Sequence, residues 1–357
     1  MPMPMYWKIK YWKDDDKKRA ISRILRLRQY IMTHVPQRTA SDTLLLATWN
    51  LRDFDSNKFG HGPRLEETFY YIAEVISAFD LVALQEINYD MRPLEKLIEL
   101  LGPSWDYIAT DETKGSSGNQ ERMVYVFNRN KVQFKHIAGE IVLPKNELIQ
   151  DAYQAARSPF LVRFQSGWFK FNLCTVHIYY GDMAGPGYTR RVAELNAIAK
   201  FIQERAEKDG ENYILLGDMN VVNPTDLTMQ ALTKHNFILP KDLLTSNIDI
   251  DFTSNVGRDK HYDQIAFLPR KNEVILGTSK NNAGILNYYQ AVYRDDEALE
   301  YYSIATNRTK WPSNDVDQEL YFKKEWRTWQ MSDHLPLFVE LKIDFTEQYL
   351  EGIQKEQ

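Results

Sequence analysis

Short apolar segments that begin or end with a polar residue recur along the chain, and they restrict its fold more than any other feature. Each segment is rich in leucine, β-branched and aromatic residues, so each predicts a buried strand. The segments are TLLLATWN (43–50), LVALQE (81–86), RMVYVFNR (122–129), SGWFKFNLCTVHI (166–178), YILLGD (213–218), YDQIAFL (262–268) and LPLFVEL (335–341). Residues 64–80 and 190–210 each place their apolar side chains on one face and predict helices between the strands. This pattern predicts an α/β protein with many strands.

The residues able to do chemistry lie at the ends of these predicted strands. Strands that alternate in direction bring the end of one beside the start of its neighbour, so separate segments can deliver their polar side chains to one rim. Taken singly, each residue is explained as a turn, a cap or a satisfied core group. Taken together, they favour a shared site. The residues are Asn50, Glu86, His177, Asp218, Asn220, Asp263, Asp333 and His334.

The chemistry of this set is that of a hydrolytic metal site. Carboxylate and amide oxygens suit a hard cation such as Mg²⁺, for which Mn²⁺ can substitute. Cys174 is the only cysteine and lies in an apolar strand, so neither a thiolate cluster nor a disulfide within the chain is expected. Histidines beside such a cation transfer protons near neutral pH. The set therefore favours the addition of water to a phosphate ester.

Charge and hydropathy limit the partners of the chain. The net charge of −5 argues against a protein that coats nucleic acid without specificity. No window approaches the roughly 18 apolar residues that would span a bilayer, and the first residues contain no apolar segment of signal-peptide length. With the single cysteine, these observations predict a cytoplasmic protein that does not contact a membrane.

A series of motifs resembles one enzyme family. TWNLRDF, LVALQEI, QERMVYVFNR, ARSPFLVRF, CTVH, LLGDMN, HYDQIAF and SDHLPLFVEL follow one another in the order of the endonuclease/exonuclease/phosphatase superfamily, and the likeness is closest to its deoxyribonuclease I-like branch. The motifs extend from about Thr43 to Ile343. The resemblance implies a four-layered α/β sandwich, in which two mixed β-sheets pack face to face with helices outside.

The resemblance also implies a role for individual residues. Glu86 matches the main metal-binding glutamate, with Asn50 and Asp333 as further metal or phosphate contacts. Arg52 and Arg157 match arginines that hold phosphates.

Two histidines match the catalytic pair of the family. His177 would be oriented by Glu121, and His334 by Asp263. Two further residues would position and activate the attacking water and contact the phosphate: Asp218 and Asn220. The resemblance thus implies in-line attack by a water that the metal, Asp218 and His334 assist, with His177 as the acid for the leaving oxygen. The sequence leaves open which histidine is the acid.

The resemblance implies a Mg²⁺-dependent nuclease. Its expected activity is that of an endonuclease that hydrolyses DNA, with RNA as a further substrate. The alternative is a phosphatase or phosphodiesterase acting on a lipid or inositol phosphate. The absence of a WCDR-type signature before Asp263 argues against this alternative. A catalytically silent nucleic-acid-binding or scaffold module is a third reading, and it predicts the loss of the metal glutamate or of a histidine, both of which the chain retains.

The chain is predicted to divide into a basic, helical N-terminal extension (1–42), a deoxyribonuclease I-like catalytic domain (43–345) and a C-terminal tail (346–357). The extension is expected to dock on the main domain with a solvated basic face; a contact with nucleic acid or a protein partner is the alternative. Residues 293–330 are predicted to be an insertion. Its tryptophans would pack or form a lid, or else stack on single-stranded bases: Trp311, Trp326 and Trp329.

Overall fold

The computed structural model describes most of the chain. The described residues are 4–55, 57–61, 63–113, 120–150, 152–244, 250–270, 273–305 and 311–355. Parts of every predicted region lie outside them: 1–3 of the extension, 356–357 of the tail, 306–310 of the insertion, and 56, 62, 114–119, 151, 245–249 and 271–272 of the rest of the catalytic domain. Within the described residues, no helix combines the length and the apolar character needed to cross a membrane.

Eleven strands and ten α-helices are described. The strands are β1 (Thr43–Phe54), β2 (Leu81–Ile87), β3 (Trp105–Ala109), β4 (Arg122–Asn128), β5 (Gln133–Glu140), β6 (Phe160–Ser166), β7 (Phe169–His177), β8 (Tyr213–Asp218), β9 (Asp263–Leu268), β10 (Ala283–Ile285) and β11 (Leu337–Lys342). The α-helices are α1 (Asp14–His34), α2 (Glu66–Ser77), α3 (Arg92–Leu101), α4 (Gly185–Asp209), α5 (Leu227–Thr233), α6 (Pro240–Leu243), α7 (Ala298–Ala305), α8 (Asp315–Tyr321), α9 (Arg327–Gln330) and α10 (Thr346–Lys355). Shorter turns are 3₁₀-helical (Trp7–Tyr11, Lys145–Glu147, Tyr288–Gln290 and Asp295–Glu297), and a π-helical turn (Phe322–Trp326) joins α8 to α9.

Two mixed sheets form the centre of the fold. The first has the strand order β10-β11-β1-β2-β4-β3 and the second β5-β6-β7-β8-β9. The β1–β2 and β7–β8 pairs are parallel, and the other pairs are antiparallel.

Alternation along the strands creates the layers, since successive side chains point to opposite faces of a sheet. In β1, Leu44 and Leu46 join the core between the two sheets, whereas Leu45 and Ala47 join the core beneath α2 and α3. A third core lies between the second sheet and α4. Helices therefore cover the outer face of each sheet, and the predicted four-layered α/β sandwich is confirmed.

The strand register brings the polar strand ends together. Asn50 lies opposite Gln85 in the parallel β1–β2 pair, so it is adjacent to Glu86. His177 lies opposite Asp218 in the parallel β7–β8 pair, and Asp218 lies opposite Asp263 in the antiparallel β8–β9 pair. The strand ends thus deliver these groups to one edge of the sandwich.

Gly217 permits the close pairing of β7 and β8 just before Asp218. Its φ is +133°, and a Cβ at this position would lie 2.1 Å from the carbonyl oxygen of Val176. A side chain here would therefore push apart the two strands that carry His177 and Asp218.

Two predicted elements differ from the structure. Residues 166–178, predicted as one strand, contain the end of β6 and all of β7, because the chain reverses at Gly167, whose φ is +54°. The helix predicted over 190–210 begins earlier, at Gly185, with Pro186 in its first turn, where the missing amide hydrogen is not needed.

The basic N-terminal segment forms α1, which packs against α2. Four of its arginines pair with carboxylates of α2 and of residues 297–300, so these arginines are not the solvated basic face that the sequence predicted. Ionic contacts of this kind tie α1 to the rest of the fold. The pairs are Arg19–Glu67, Arg23–Glu300, Arg26–Glu297 and Arg28–Glu74.

Candidate active site

Asn50 connects the carboxylates of the two sheets. Its Nδ2 donates to Glu86 Oε1 at 2.8 Å and to Asp218 Oδ2 at 3.1 Å. Its Oδ1 accepts from the Arg52 amide at 2.8 Å, and Glu86 Oε2 accepts from the Asp53 amide at 2.8 Å. Asn50 is fully buried, so these bonds fix the spacing between Glu86 and Asp218.

Two histidines, each backed by a carboxylate, converge on Asp218. His177 Nδ1 lies 2.8 Å from Glu121 Oε1, and His334 Nδ1 lies 2.7 Å from Asp263 Oδ2. The other ring nitrogens face inward: Nε2 of His177 is 3.7 Å and Nε2 of His334 is 3.6 Å from Asp218 Oδ2. A carboxylate at Nδ1 fixes the ring orientation and the tautomer, leaving Nε2 available for proton transfer. The structure therefore brings together the predicted Glu121–His177 and Asp263–His334 pairs.

The electrostatic environment favours protonation of both histidines. Burial disfavours the imidazolium, but Asp263 and Asp218 outweigh burial at His334 and raise its pKa well above the usual value. At His177, burial and the charge of Arg157 disfavour the imidazolium, but Glu121 and Asp218 outweigh both, so the pKa of His177 is raised.

The pKa values of the two central carboxylates, Asp218 and Glu86, shift in opposite directions. Burial disfavours ionisation of Asp218, but His334 and His177 outweigh burial and lower its pKa. Burial raises the pKa of Glu86, and the charges of Glu121 and Asp333 add to the effect of burial. Asp218 is thus an anion between two proton carriers, whereas the charge on Glu86 is poorly compensated by the protein.

Glu86 and Asp333 are the residues that best fit a divalent cation. Their side chains remain 25% and 44% exposed, so both present carboxylate oxygens at the rim of the site. A hard divalent cation prefers such oxygens and would supply the charge that Glu86 lacks. Glu86, Glu121 and His177 also bring one ligand atom each within 4.8 Å of the others. Glu121 is already bound to His177 and to Arg157 Nε, so we assign it to the histidine rather than to the cation.

The remaining predicted residues lie nearby in different settings. Asn220 is held by two hydrogen bonds. Its backbone N–H donates to Asp218 Oδ1 at 3.0 Å, and its side-chain Nδ2 donates to the Ile178 carbonyl at 2.8 Å. Arg157 is 7% exposed and pairs with Glu121, so its guanidinium lies behind His177. In this position it shares Glu121 with His177, and its charge lowers the pKa of the His177 imidazole. Its predicted contact with phosphate stays a prediction.

Arg52 is the arginine that lies at the rim. Its Nε is 3.6 Å from Asp333 Oδ2. The backbone takes left-handed φ values at Arg52 (+46°), Asp53 (+49°) and Glu86 (+58°), which cost free energy in residues other than glycine. Left-handed φ values also occur away from the site, for example at His136 and Asn236, so they do not by themselves mark it.

Ser332 has a structural role here. Its Oγ donates to Asn50 O at 2.7 Å and accepts from the His334 amide at 3.0 Å. The hydroxyl thereby joins the end of β1 to the segment that carries His334, and it is not directed at the cluster as a nucleophile.

Two buried arginines that the sequence did not indicate hold the segments around the site. Arg64 donates to the carbonyls of Leu51 and Gln330 at 2.5 and 2.9 Å, and burial lowers its pKa to about 10. Arg191 donates to the carbonyls of Tyr180 and Asn220 at 2.7 and 3.0 Å. An arginine near a helix start is usually read as a solvated group, so no local pattern marks these two.

Comparisons with known proteins identify the family and the fold of the chain. A family model described as the endonuclease/exonuclease/phosphatase family matches residues 47–314. Solved structures similar to the chain include a mannosyl-6-phosphatase from Bacteroides thetaiotaomicron, at 17% identity and a TM-score of 0.53 over 84% of this chain and 99% of that one. The human Nocturnin catalytic domain is similar at 13% identity and a TM-score of 0.52 over 84% of this chain and 94% of that one. A humanised TDP2 from D. rerio is similar at 12% identity and a TM-score of 0.50 over 84% of this chain and 98% of that one. At these identities the likeness shows the fold alone. A search of curated proteins finds no match.

Proposed function

The chain belongs to the endonuclease/exonuclease/phosphatase family, and we propose that within this family it is a divalent-metal-dependent phosphodiesterase that cleaves DNA internally, with RNA as a further substrate. The coarser activity, hydrolysis of a phosphoester bond, follows from membership of the family. The observation that carries the proposal is the convergence of two carboxylate-backed histidines on Asp218 Oδ2, at 3.7 and 3.6 Å.

Each residue of the site has its own role in the proposed reaction. A cation held by Glu86 and Asp333, with Asn50 beside them, would polarise the phosphoryl oxygen and favour ionisation of water. Asp218 and His334 orient the attacking water, and the ionised Asp218 accepts its proton. His177, whose protonated form Glu121 stabilises, donates a proton to the leaving oxygen. Arg52 binds a non-bridging oxygen of the phosphate.

The proposal is tested with a panel of substrates: supercoiled plasmid, single- and double-stranded oligonucleotides, RNA and inositol phosphates. We expect nicking of the plasmid with Mg²⁺ and none after chelation with EDTA. Glu86→Gln should abolish cleavage while leaving the melting temperature close to that of the wild type. Release of phosphate from inositol phosphates without nicking would contradict the nuclease proposal.

Hydrolysis of a lipid or inositol phosphate is the second candidate. One observation weighs against the nuclease: four arginines of the basic segment are paired with carboxylates of the same chain, so α1 adds little attraction for a long polyanion such as nucleic acid. A catalytically silent module fits less well, because Glu86, His177 and His334 are present and their side chains come together. The cytoplasmic location remains a prediction from the sequence.

A further inference from the structure

Next to the site, four planar side chains stack in series and end at Asp333. The ring of Tyr321 lies 5.9 Å from that of His61 at an interplanar angle of 23°, and His61 lies 4.8 Å from the ring of Trp329 at 9°. The guanidinium of Arg52 lies 4.0 Å from the centre of the Trp329 ring. Arg52 Nε then reaches Asp333 Oδ2 at 3.6 Å. The stack thus links the end of the predicted insertion to a residue proposed to bind the cation.

The ring of Trp329 is already engaged by the chain itself. Besides Arg52 and His61, Phe59 packs on it with a centroid distance of 4.9 Å. Trp326 is 1% exposed, and Trp311 packs against it. These contacts disfavour the idea that the insertion offers its tryptophans to nucleic-acid bases.

Two further groups of the same segment hold the guanidinium of Arg52. Its Nη1 donates to Thr328 Oγ1, and its Nη2 lies 3.7 Å from Glu325 Oε2. Thr328 Oγ1 donates in turn to the Glu325 carbonyl at 2.7 Å, so its lone pairs face Arg52. Residues 325–329 therefore restrain the guanidinium by an ion pair, a hydrogen bond and a cation–π contact.

We propose that Trp329 is a positioning residue, which orients Arg52 so that its guanidinium meets the phosphate of the substrate in one fixed plane. The inference rests on the proposed function, in which Arg52 binds that phosphate. A guanidinium binds phosphate through two parallel hydrogen bonds only when its plane is aligned, and a prior restraint reduces the rotamer entropy lost on binding. Residues 325–329 supply this restraint from a part of the chain that contributes none of the catalytic groups.

The restraint can be measured without catalysis. In protein labelled with ¹⁵N-arginine, the Arg52 Nε–H signal is identified by its loss in Arg52→Lys. In the wild type we expect this signal to show restricted motion. In Trp329→Leu, which keeps apolar volume but loses the ring, its heteronuclear NOE should fall to that of exposed arginines. Trp329→Phe should preserve the heteronuclear NOE of Arg52. Trp168→Ala, which replaces a half-exposed tryptophan outside this segment, should leave that NOE unchanged. An unchanged Arg52 signal in Trp329→Leu would overturn the proposal.

Kinetics test the consequence for the reaction. On the cleaved substrate, Trp329→Leu should lower kcat/KM by about 3- to 30-fold, the range of a cation–π contact, with most of the change in KM. The double variant Arg52→Ala/Trp329→Leu should lose no more than Arg52→Ala, because the ring acts through the arginine. Additive losses would contradict this. If the wild type hydrolyses no phosphoester, the proposed function fails, whereas the NMR measurement still decides whether Trp329 restrains Arg52.

Discussion

Replacement of Glu194 by glutamine should stabilise the protein at alkaline pH and have little effect in acid. Glu194 lies on α4 and is completely buried, and its Oε1 accepts from the Tyr179 amide at 3.2 Å, two residues beyond His177. Burial raises its pKa to about 7, despite backbone hydrogen bonds and the charges of two arginines that lower it. Glutamine resembles the protonated acid, because it keeps one acceptor oxygen and places a donor at the other position.

The magnitude follows from the difference between the folded and unfolded pKa values. The pKa of Glu194 is higher in the folded protein, so its contribution to stability is fully present below the unfolded value of 4.5 and is lost as the pH rises through 7. A difference of about 2.5 pH units corresponds to about 3 kcal/mol. Above pH 7, Glu194→Gln should therefore be more stable than the wild type by up to about 3 kcal/mol.

Urea unfolding at pH 4.5 and pH 8 provides the assay, since the free energy of unfolding extrapolates linearly to water. Glu207→Gln, which replaces an exposed glutamate on the same helix, is the matched control and should show little difference at either pH. An equal effect of Glu194→Gln at the two pH values would refute the reasoning, because the raised pKa would then contribute nothing to stability.

Three further substitutions test the architecture of the site. Ser332→Ala should cost about 1–3 kcal/mol in urea unfolding, since it leaves buried partners unpaired, while cleavage is reduced but retained; complete loss of cleavage in a folded variant would contradict a purely structural role for the hydroxyl. Gly217→Ala should cost more than about 3 kcal/mol in the same assay, in the range of severe backbone effects, because the added Cβ meets the Val176 carbonyl, and a stability equal to that of the wild type would contradict this placement. Arg64→Met should lower both the melting temperature and kcat, because it frees the carbonyls of Leu51 and Gln330; a fall in melting temperature alone would limit Arg64 to a role in stability.

The sequence predicts most of the strands and the rim because both depend on local patterns. Buried strands are continuous apolar runs, and their ends carry residues such as Asn50 and Glu86 that contrast with these runs. The prediction omits β3, β5 and β10 at sheet edges and β6 inside the second sheet, whereas it includes β9, a fully buried edge strand. An exposed strand such as β5 needs no continuous apolar run, so no local pattern marks it.

Side-chain partnerships were less predictable, because they depend on groups distant in the sequence that only the folded chain brings near. The basic charge of the first 42 residues suggested a solvated face, yet four of the arginines of α1 find carboxylates on α2 and near Glu297. Arg157 pairs with Glu121, a contact that the sequence did not predict, and its contact with a phosphate stays a prediction. In each case the residue type was informative about charge but not about which carboxylate would neutralise it.

The central claim is that Asp218, held between two histidines, activates the water that attacks the phosphate. The most direct test is single-turnover cleavage of a phosphodiester by Asp218→Asn in the presence of Mg²⁺, with circular dichroism and the melting temperature to establish that the variant is folded. The account predicts a loss of about 10²- to 10⁴-fold in rate, the usual contribution of a positioned proton acceptor. A folded Asp218→Asn that cleaves at the rate of the wild type would contradict it.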